Sequence, residues 1–534
     1  MEPEESVAAP VTDTGRIAKA TSMIGAVRIP LLVLGIGWRY LSLGFLGSES
    51  VANAFNWSNN FTMQLSQMWE KFLRPTVIPM FMQESREHGE EAAWRFASTV
   101  INLLALAVLT VAVVGIVFAP QIVDLTSQYT DEQARLASQM LRWMLLAVPL
   151  LALSVMGYLM LNSYKRFGLA ALGDLALKAA LVVGLVGLYR LWGWPALVTG
   201  LVSGSALKFA MYFWGLRKEN IHYRPVIELT SPAMKRFYIL VLPLVIGALV
   251  ALGRDRAEDY FRTGVEDGRA ASIVSYGRMP VEVPIQVIML SLGIAIFPFI
   301  SEASAKGRHR ELFEGFFTIC RGILILFIPI TVGMITLRTP FIHTLFEWGK
   351  FNASDTILTS ETVFYYAFGY VPLALEMVLL PYFYARKNTL FPTVAGVVAS
   401  VLNILFLWWL LDALQMSIGA FTLAVVVTKG LKVAVLIALL KYLFPEEHNW
   451  GYELKRVADG LARVLLATAV MFGVMWTVDL GLNHVLDPAR RLQGIIYLAA
   501  ITAAGCVSYL SMVVLLRVEE VWMAIRWVRQ KIGR

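Results

Sequence analysis

The chain has 534 residues, 57% of them hydrophobic and 16% charged, and a mean hydropathy of +0.64; soluble domains average roughly 45–50% apolar and about 25% charged. The apolar residues come in blocks of about 20, the length that crosses a bilayer as a helix, which excludes a disordered chain and argues against an ordinary soluble enzyme. Lys and Arg number 46 against 38 Asp and Glu, a formal charge of +8, which in a membrane protein records cytoplasmic loops rather than nucleic-acid binding.

The N-terminus opens acidic (Glu2, Glu4, Glu5) and polar, unlike a signal peptide, so the first apolar segment is a retained span. Apolar windows bounded by charge or Pro/Gly clusters predict an all-α polytopic protein with fourteen spans, at about 24–47, 51–83, 95–119, 139–163, 167–191, 195–216, 236–262, 270–301, 312–337, 361–385, 390–411, 416–440, 461–483 and 492–516. Basic loops alternate as retained loops should: Arg86 and Arg95, Lys165 and Arg166, Arg217 to Arg236, Lys306 to Arg310, Arg386 and Lys387, and Lys441 to Arg456 all fall on one side. Both termini are thereby placed in the cytoplasm. Cys320 and Cys506 both lie in apolar stretches, so no disulfide framework or thiolate metal site is expected.

The second span interleaves Asn53, Asn56, Asn59, Asn60, Gln64, Gln67, Glu70, Lys71 and Arg74 with aromatics, so it must line a polar cavity or pack within protein. Its end, Ile78-Pro79-Met80-Phe81, recurs as Phe297-Pro298-Phe299, 219 residues later; Tyr164-Lys165-Arg166 and Tyr384-Ala385-Arg386-Lys387 are offset by 220. Six spans per unit preserve orientation, which predicts two parallel six-helix halves around a central cavity plus two appended helices. The expected divisions are a cytoplasmic tail (1–23), an N-lobe (24–217), a linker (218–235), a C-lobe (236–441), a second linker (442–460), spans thirteen and fourteen (461–516) and a basic tail (517–534).

Charges inside spans are expensive and mark function by default. In the seventh span, Arg254, Asp255, Arg256, Glu258, Asp259 and Arg262 fall within nine positions, with spacings that put Arg254 over Glu258, Asp255 over Asp259, and Glu258 within reach of Arg262. Arg278 and Glu282 lie four apart in the eighth span between Pro280 and Pro284. Ion-paired struts across the bundle are the competing reading of the same spacings. Arg39 of the first span is a further first-rank candidate beside Glu70, Arg254, Asp255, Arg256, Arg278 and Glu282, with Asn53, Lys71, Arg74 and Glu258 in a second rank. Proline inside spans, at Pro149, Pro243, Pro284, Pro329 and Pro372, marks candidate bends, and Gly200-x-x-x-Gly204 fits close helix packing. No nucleotide-binding glycine pattern or metal-ligand spacing occurs, so no cofactor is expected beyond a coupling ion or the membrane potential.

Val33-Leu34-Gly35 leading to Leu46-Gly47, Asn53-Ala54-Phe55, the Pro79 segment, Tyr276-Gly277-Arg278 with Glu282-Val283-Pro284, and Leu345 to Phe351 together resemble the MurJ (MviN) lipid II flippases of the multidrug/oligosaccharidyl-lipid/polysaccharide exporter superfamily. The resemblance implies no enzyme but a flippase of the bacterial inner membrane, moving a polyprenyl-diphosphate-linked sugar precursor, foremost lipid II for peptidoglycan, to the outer leaflet by alternating access. It also implies a lipid-tail groove at spans thirteen and fourteen, and cell-wall synthesis proteins as possible partners. Arg278 and Glu282 match the family's cavity pair. Gly277 and Asn53 stand where it has acidic residues, Leu32 and Trp38-Arg39 differ from its arginine pattern, and its paired arginines in the second span are replaced around Gln67 and Met68, with Glu70 retained. Because a diphosphate suits the planar arginine fork, the expected substrate contacts are Arg39, Arg278, Arg254 and Arg256, tuned by Glu282, Glu70 and Asp255. Another lipid-linked polysaccharide unit, a drug for cation-coupled antiport, or a non-transport scaffold for wall-synthesis partners are the alternatives that the residues leave open.

Overall fold

The computed structural model describes residues 14–164, 166–217, 221–305, 309–385, 390–443, 450–486 and 490–523. The start of the N-terminal tail, the basic tail beyond Met523 and the loop residues Lys165, Lys218, Lys306, Arg308, Arg386 and Lys387 lie outside the described residues. Every described element is helical: α1 (Thr14–Leu46), α2 (Ser50–His88), α3 (Glu90–Val117), α4 (Ala119–Thr126), α5 (Asp131–Met144), α6 (Ala147–Ser163), α7 (Phe167–Val183), α8 (Tyr189–Trp192), α9 (Pro195–Leu216), α10 (Pro232–Thr263), α11 (Ala270–Ala305), α12 (His309–Phe346), α13 (Ala353–Ala367), α14 (Tyr370–Ala385), α15 (Leu390–Asp412), α16 (Gly419–Leu443), α17 (Trp450–Leu482) and α18 (Arg491–Leu515). Among the described residues nine helices are long and apolar enough to cross a membrane, and two bent pairs, α5 with α6 and α13 with α14, bring the count to 11. The chain is therefore a multi-pass membrane protein. Each of the fourteen expected positions is occupied by helix; α2, too polar to pass on hydropathy alone, is one of those outside the 11.

The two bent spans have one cause. Helix breaks of 41° and 49° fall just before Pro149 and Pro372, each of which lacks the N–H that would have bonded back to Leu145 or Phe368 and crowds that carbonyl. Proline is tolerated there because each lies in the first turn of the following helix, α6 or α14. The fourth and tenth spans, six apart, thus carry the same break. Pro243 and Pro329, also expected to bend their spans, instead sit inside the unbroken helices α10 and α12.

The chain divides into two compact units. The first comprises Met1–Trp38, Trp69–Val113 and Met144–Val241, the second Arg39–Met68, Val114–Trp143 and Leu242–Arg534. In the first, α7 and α9 approach at Gly184, Gly200 and Gly204, where a Cβ would press on the facing backbone or on Leu177 and Ala180, so the small-residue spacing serves close packing as expected. Residues 221–231 lie along α3, tied by Arg224 to Glu91 (2.8 Å) and by the Asn102 amide to the Val226 carbonyl (2.9 Å). In the second unit, Phe313, Phe316, Phe317, Tyr382 and Trp450 interlock around buried Phe327 and Tyr370. Between lipid-embedded helices such contacts stabilise by packing, since lipid tails are as apolar as the core.

Candidate functional site

Within the second unit, α1, α2, α10 and α11 bring most of the predicted charges into one network. Arg278 of α11 does not turn to Glu282 on its own helix; it reaches Glu258 of α10 at 2.6 Å. Glu282 instead accepts from Arg39 of α1 at 3.0 Å and lies 3.5 Å from the Tyr366 hydroxyl of α13. Along α10 the expected Glu258 to Arg262 pair forms, but Arg254 bonds Asp255, and Arg262 also reaches Asp259 at 3.3 Å. Arg256 pairs with Asp259 at 2.7 Å, bonds Gln64 of α2, and lies 4.8 Å from the Phe61 ring centre. Two pairs cross between helices, Arg278 to Glu258 and Arg39 to Glu282, while the others lie along α10.

Exposure separates two roles. The Glu258, Asp259 and Arg262 side chains are under 10% exposed, whereas Arg39, Arg254 and Glu282 are 41%, 31% and 26% exposed. The former are buried ion pairs of α10, joined to α11 through Glu258, and the latter are partly exposed. Arg278 is intermediate at 19%. Buried N–H groups of Arg256, Arg262 and Arg278 have no hydrogen-bond partner among the described residues. Such donors in a bilayer-spanning bundle suit a ligand that brings several acceptor oxygens.

Other predicted positions are placed differently. Asn53 is buried: its amide donates to the Ser48 carbonyl (2.9 Å) and accepts from Ser272 (2.6 Å), which in turn accepts from Asn56. An aspartate could accept from Ser272 but could not donate to Ser48, which gives the amide a structural use. Gly277 lets α11 approach Thr362 of α13, where a Cβ would collide. Glu70, Lys71 and Arg74 belong to the first unit; Arg74 pairs with Glu70 at 3.3 Å and lies 5.7 Å from the Tyr158 ring centre, and Lys71 is exposed.

Two groups were not singled out by sequence. Glu376 of α14 accepts from both Lys429 and Lys432 of α16, at 2.6 and 2.7 Å. Charge inside an apolar window was the signal that would have found them. At the α1–α2 turn, fully buried Asp355 accepts from Ser48 and Arg269, each at 2.5 Å, and from the Asn352 N–H at 3.1 Å. Trp348 packs against Tyr40 and Phe45 where Gly44 leaves room, and the Lys350 N–H donates to the Gly44 carbonyl. The Leu46-Gly47 and Leu345–Phe351 stretches thus meet in one closure.

Among the described residues no group of three or more His, Cys, Asp and Glu side chains gathers to hold a metal. The helix order is shared with solved transporters. A structure titled lipid II flippase MurJ, inward closed conformation, superposes with a TM-score of 0.77 at 20% identity, covering 92% of this chain and 98% of that one. An inward-facing multidrug resistance MATE family transporter matches with a TM-score of 0.64 at 12% identity over 80% of this chain and 94% of its own. The probable lipid II flippase MurJ of Rhizobium tropici is 24% identical over 92% of this chain and 94% of its own length. The lipid II flippase MurJ of Burkholderia cenocepacia is 24% identical over 75% and 85%. A family model described as lipid II flippase MurJ matches residues 44–486, a stretch that holds the α10–α11 network, the α14–α16 triad and the Trp348 closure, and the chain belongs to that family.

Proposed function

We propose that this protein is a lipid II flippase, carrying a polyprenyl-diphosphate-linked sugar precursor from the inner to the outer leaflet of the bacterial inner membrane by alternating access, without chemical conversion. The observation that carries this reading is the arginine-rich network of α10 and α11, which lies inside the stretch matched by the MurJ family model and is joined by Arg39 of α1 just before it. Arg39, Arg254 and Arg278 are the diphosphate contacts. Glu282 and Asp255 hold their guanidinium groups in place and tune occupancy, while Arg256, Arg262, Glu258 and Asp259 brace the cluster. Asn53 orients the α1–α2 turn, and Glu70, Lys71 and Arg74 form a separate polar contact for the headgroup. A diphosphate needs fixed cations in a low-dielectric site, and arginine forks match two phosphate oxygens at once.

The arrangement suits fourteen spans in two parallel halves, 24–217 and 236–441, with 461–516 appended as a groove for the lipid tail and both termini in the cytoplasm. Matching proline breaks in spans four and ten support the repeat. Cell-wall synthesis proteins are the expected partners. Complementation of a conditional flippase-depleted bacterial strain tests the reading: the wild-type chain should restore growth, and Arg278→Ala and Glu282→Ala should not. Lack of rescue by the correctly inserted wild type would sink lipid II as cargo, and full rescue by both variants would remove the network as its site.

A further inference from the structure

The triad of α14 and α16 sets two ammonium groups on one carboxylate. Lys429 and Lys432 both bond Glu376, whose side chain is 10% exposed. A strut would be complete with one lysine. A second, unneutralised charge at membrane depth costs at least about 2.5–3.5 kcal/mol on insertion scales, so its retention calls for an anion. The network of α1, α10 and α11 has the same imbalance: five arginines (39, 254, 256, 262, 278) share four carboxylates (255, 258, 259, 282). Each group therefore holds one positive charge in excess.

Helix geometry shows which lysine is available. Val427, Leu431 and Val435 form the exposed apolar stripe of α16, and at 3.6 residues per turn Lys429 points about 160° away from its centre. Lys429 is nevertheless 28% exposed, whereas Lys432 is 10% exposed and runs beside Gly396 of α15. The exposure of Lys429 thus opens inward, away from the lipid face. Arg254 of α10, itself partly exposed, is close enough for its charge to act on Lys429. The bonded partner of Lys429 is thus Glu376, shared with Lys432, and Arg254 lies within electrostatic reach.

We infer that Lys429 is a further phosphate-contacting residue, held by Glu376 and backed by Lys432, and that it meets one phosphate of the diphosphate while the arginines of α10 and α11 meet the other. This rests on the flippase reading above, and it specifies that the site takes a headgroup with two linked phosphates rather than one. Glu376 is a positioning residue, because it acts through the ammonium.

Binding of lipid II and of undecaprenyl monophosphate to the purified full chain, measured by native mass spectrometry alongside thermal unfolding, tests it. Wild type should prefer lipid II. Lys429→Gln should lower lipid II affinity about tenfold and monophosphate affinity less than about threefold, and Lys429→Arg should recover most of the loss. Lys432→Gln, removing the buried neighbour, should lower the unfolding temperature while keeping the preference. A Lys429→Gln protein that retains the preference, or that loses both ligands equally, overturns the inference and leaves the flippase reading standing. Absence of any preference in wild type overturns both.

Discussion

Glu258 is the residue on which the network turns, since it accepts from Arg262 on its own helix and from Arg278 across the helix contact while almost wholly buried. Removing one partner of a buried pair leaves an uncompensated charge and typically costs about 3–5 kcal/mol, more than the pair itself contributes. Arg278→Ala should therefore lower both flipping and stability. Adding Glu258→Gln should return much of the stability, because the surviving Arg262 and Asp259 still satisfy one another, but should not return flipping, because the ligand has lost a guanidinium. Denaturant melts of the single and double variants, set against flipping in proteoliposomes, check this as a double-mutant cycle. Additive stability losses would mean that Arg278 and Glu258 do not couple.

At the scale of elements, the appended pair α17 and α18 is fixed by one buried arginine. Arg321 of α12 bonds Glu453 of α17 at 2.7 Å and Glu520 beyond α18, and Arg456 links Glu453 to Glu519. Arg321→Ala strips Glu520 of its cation and leaves Glu453 only the longer contact to Arg456, at 3.5 Å, in a nearly dry site. The expected result is faster proteolysis within residues 515–523 and release of the tail from α12, with the α10–α11 network unchanged; cleavage at the wild-type rate would contradict it. None of these partners was legible in the sequence, because Arg321, Glu453 and Glu520 are 132 and 199 residues apart. What was legible was local: α9 spans 195–216 as the hydropathy window placed it, and the Pro149 break lies where proline removes a backbone donor. Pro243 and Pro329 show the limit of that rule, since neighbouring helices decide whether a proline breaks a helix or is absorbed.

For the whole molecule, sequence located the charges and one of their pairs, Glu258 with Arg262, but not the pairs between helices. Spacing of four allowed an Arg278 to Glu282 pair on one helix; the fold gives each a partner from a different helix. The resulting balance has a consequence for energetics. A diphosphate diester carries two negative charges at neutral pH, and the two groups of the second unit hold two positive charges in excess, so the loaded site is close to neutral and the empty site is not. Exporting two negative charges from an interior negative by 100 mV is favourable by about 4.6 kcal/mol per cycle, and with a near-neutral loaded site that driving force acts on the inward return of the empty, positive site. Flipping in proteoliposomes should therefore quicken when a potassium diffusion potential makes the substrate-donating side negative and slow when it is collapsed. Lys429→Gln, with one excess charge in place of two, should move roughly half of that voltage dependence from the return of the empty site to the loaded step, with the total for the cycle unchanged. A flipping rate indifferent to the potential would show that the charge of the cargo is not compensated by these residues but travels with a counter-ion.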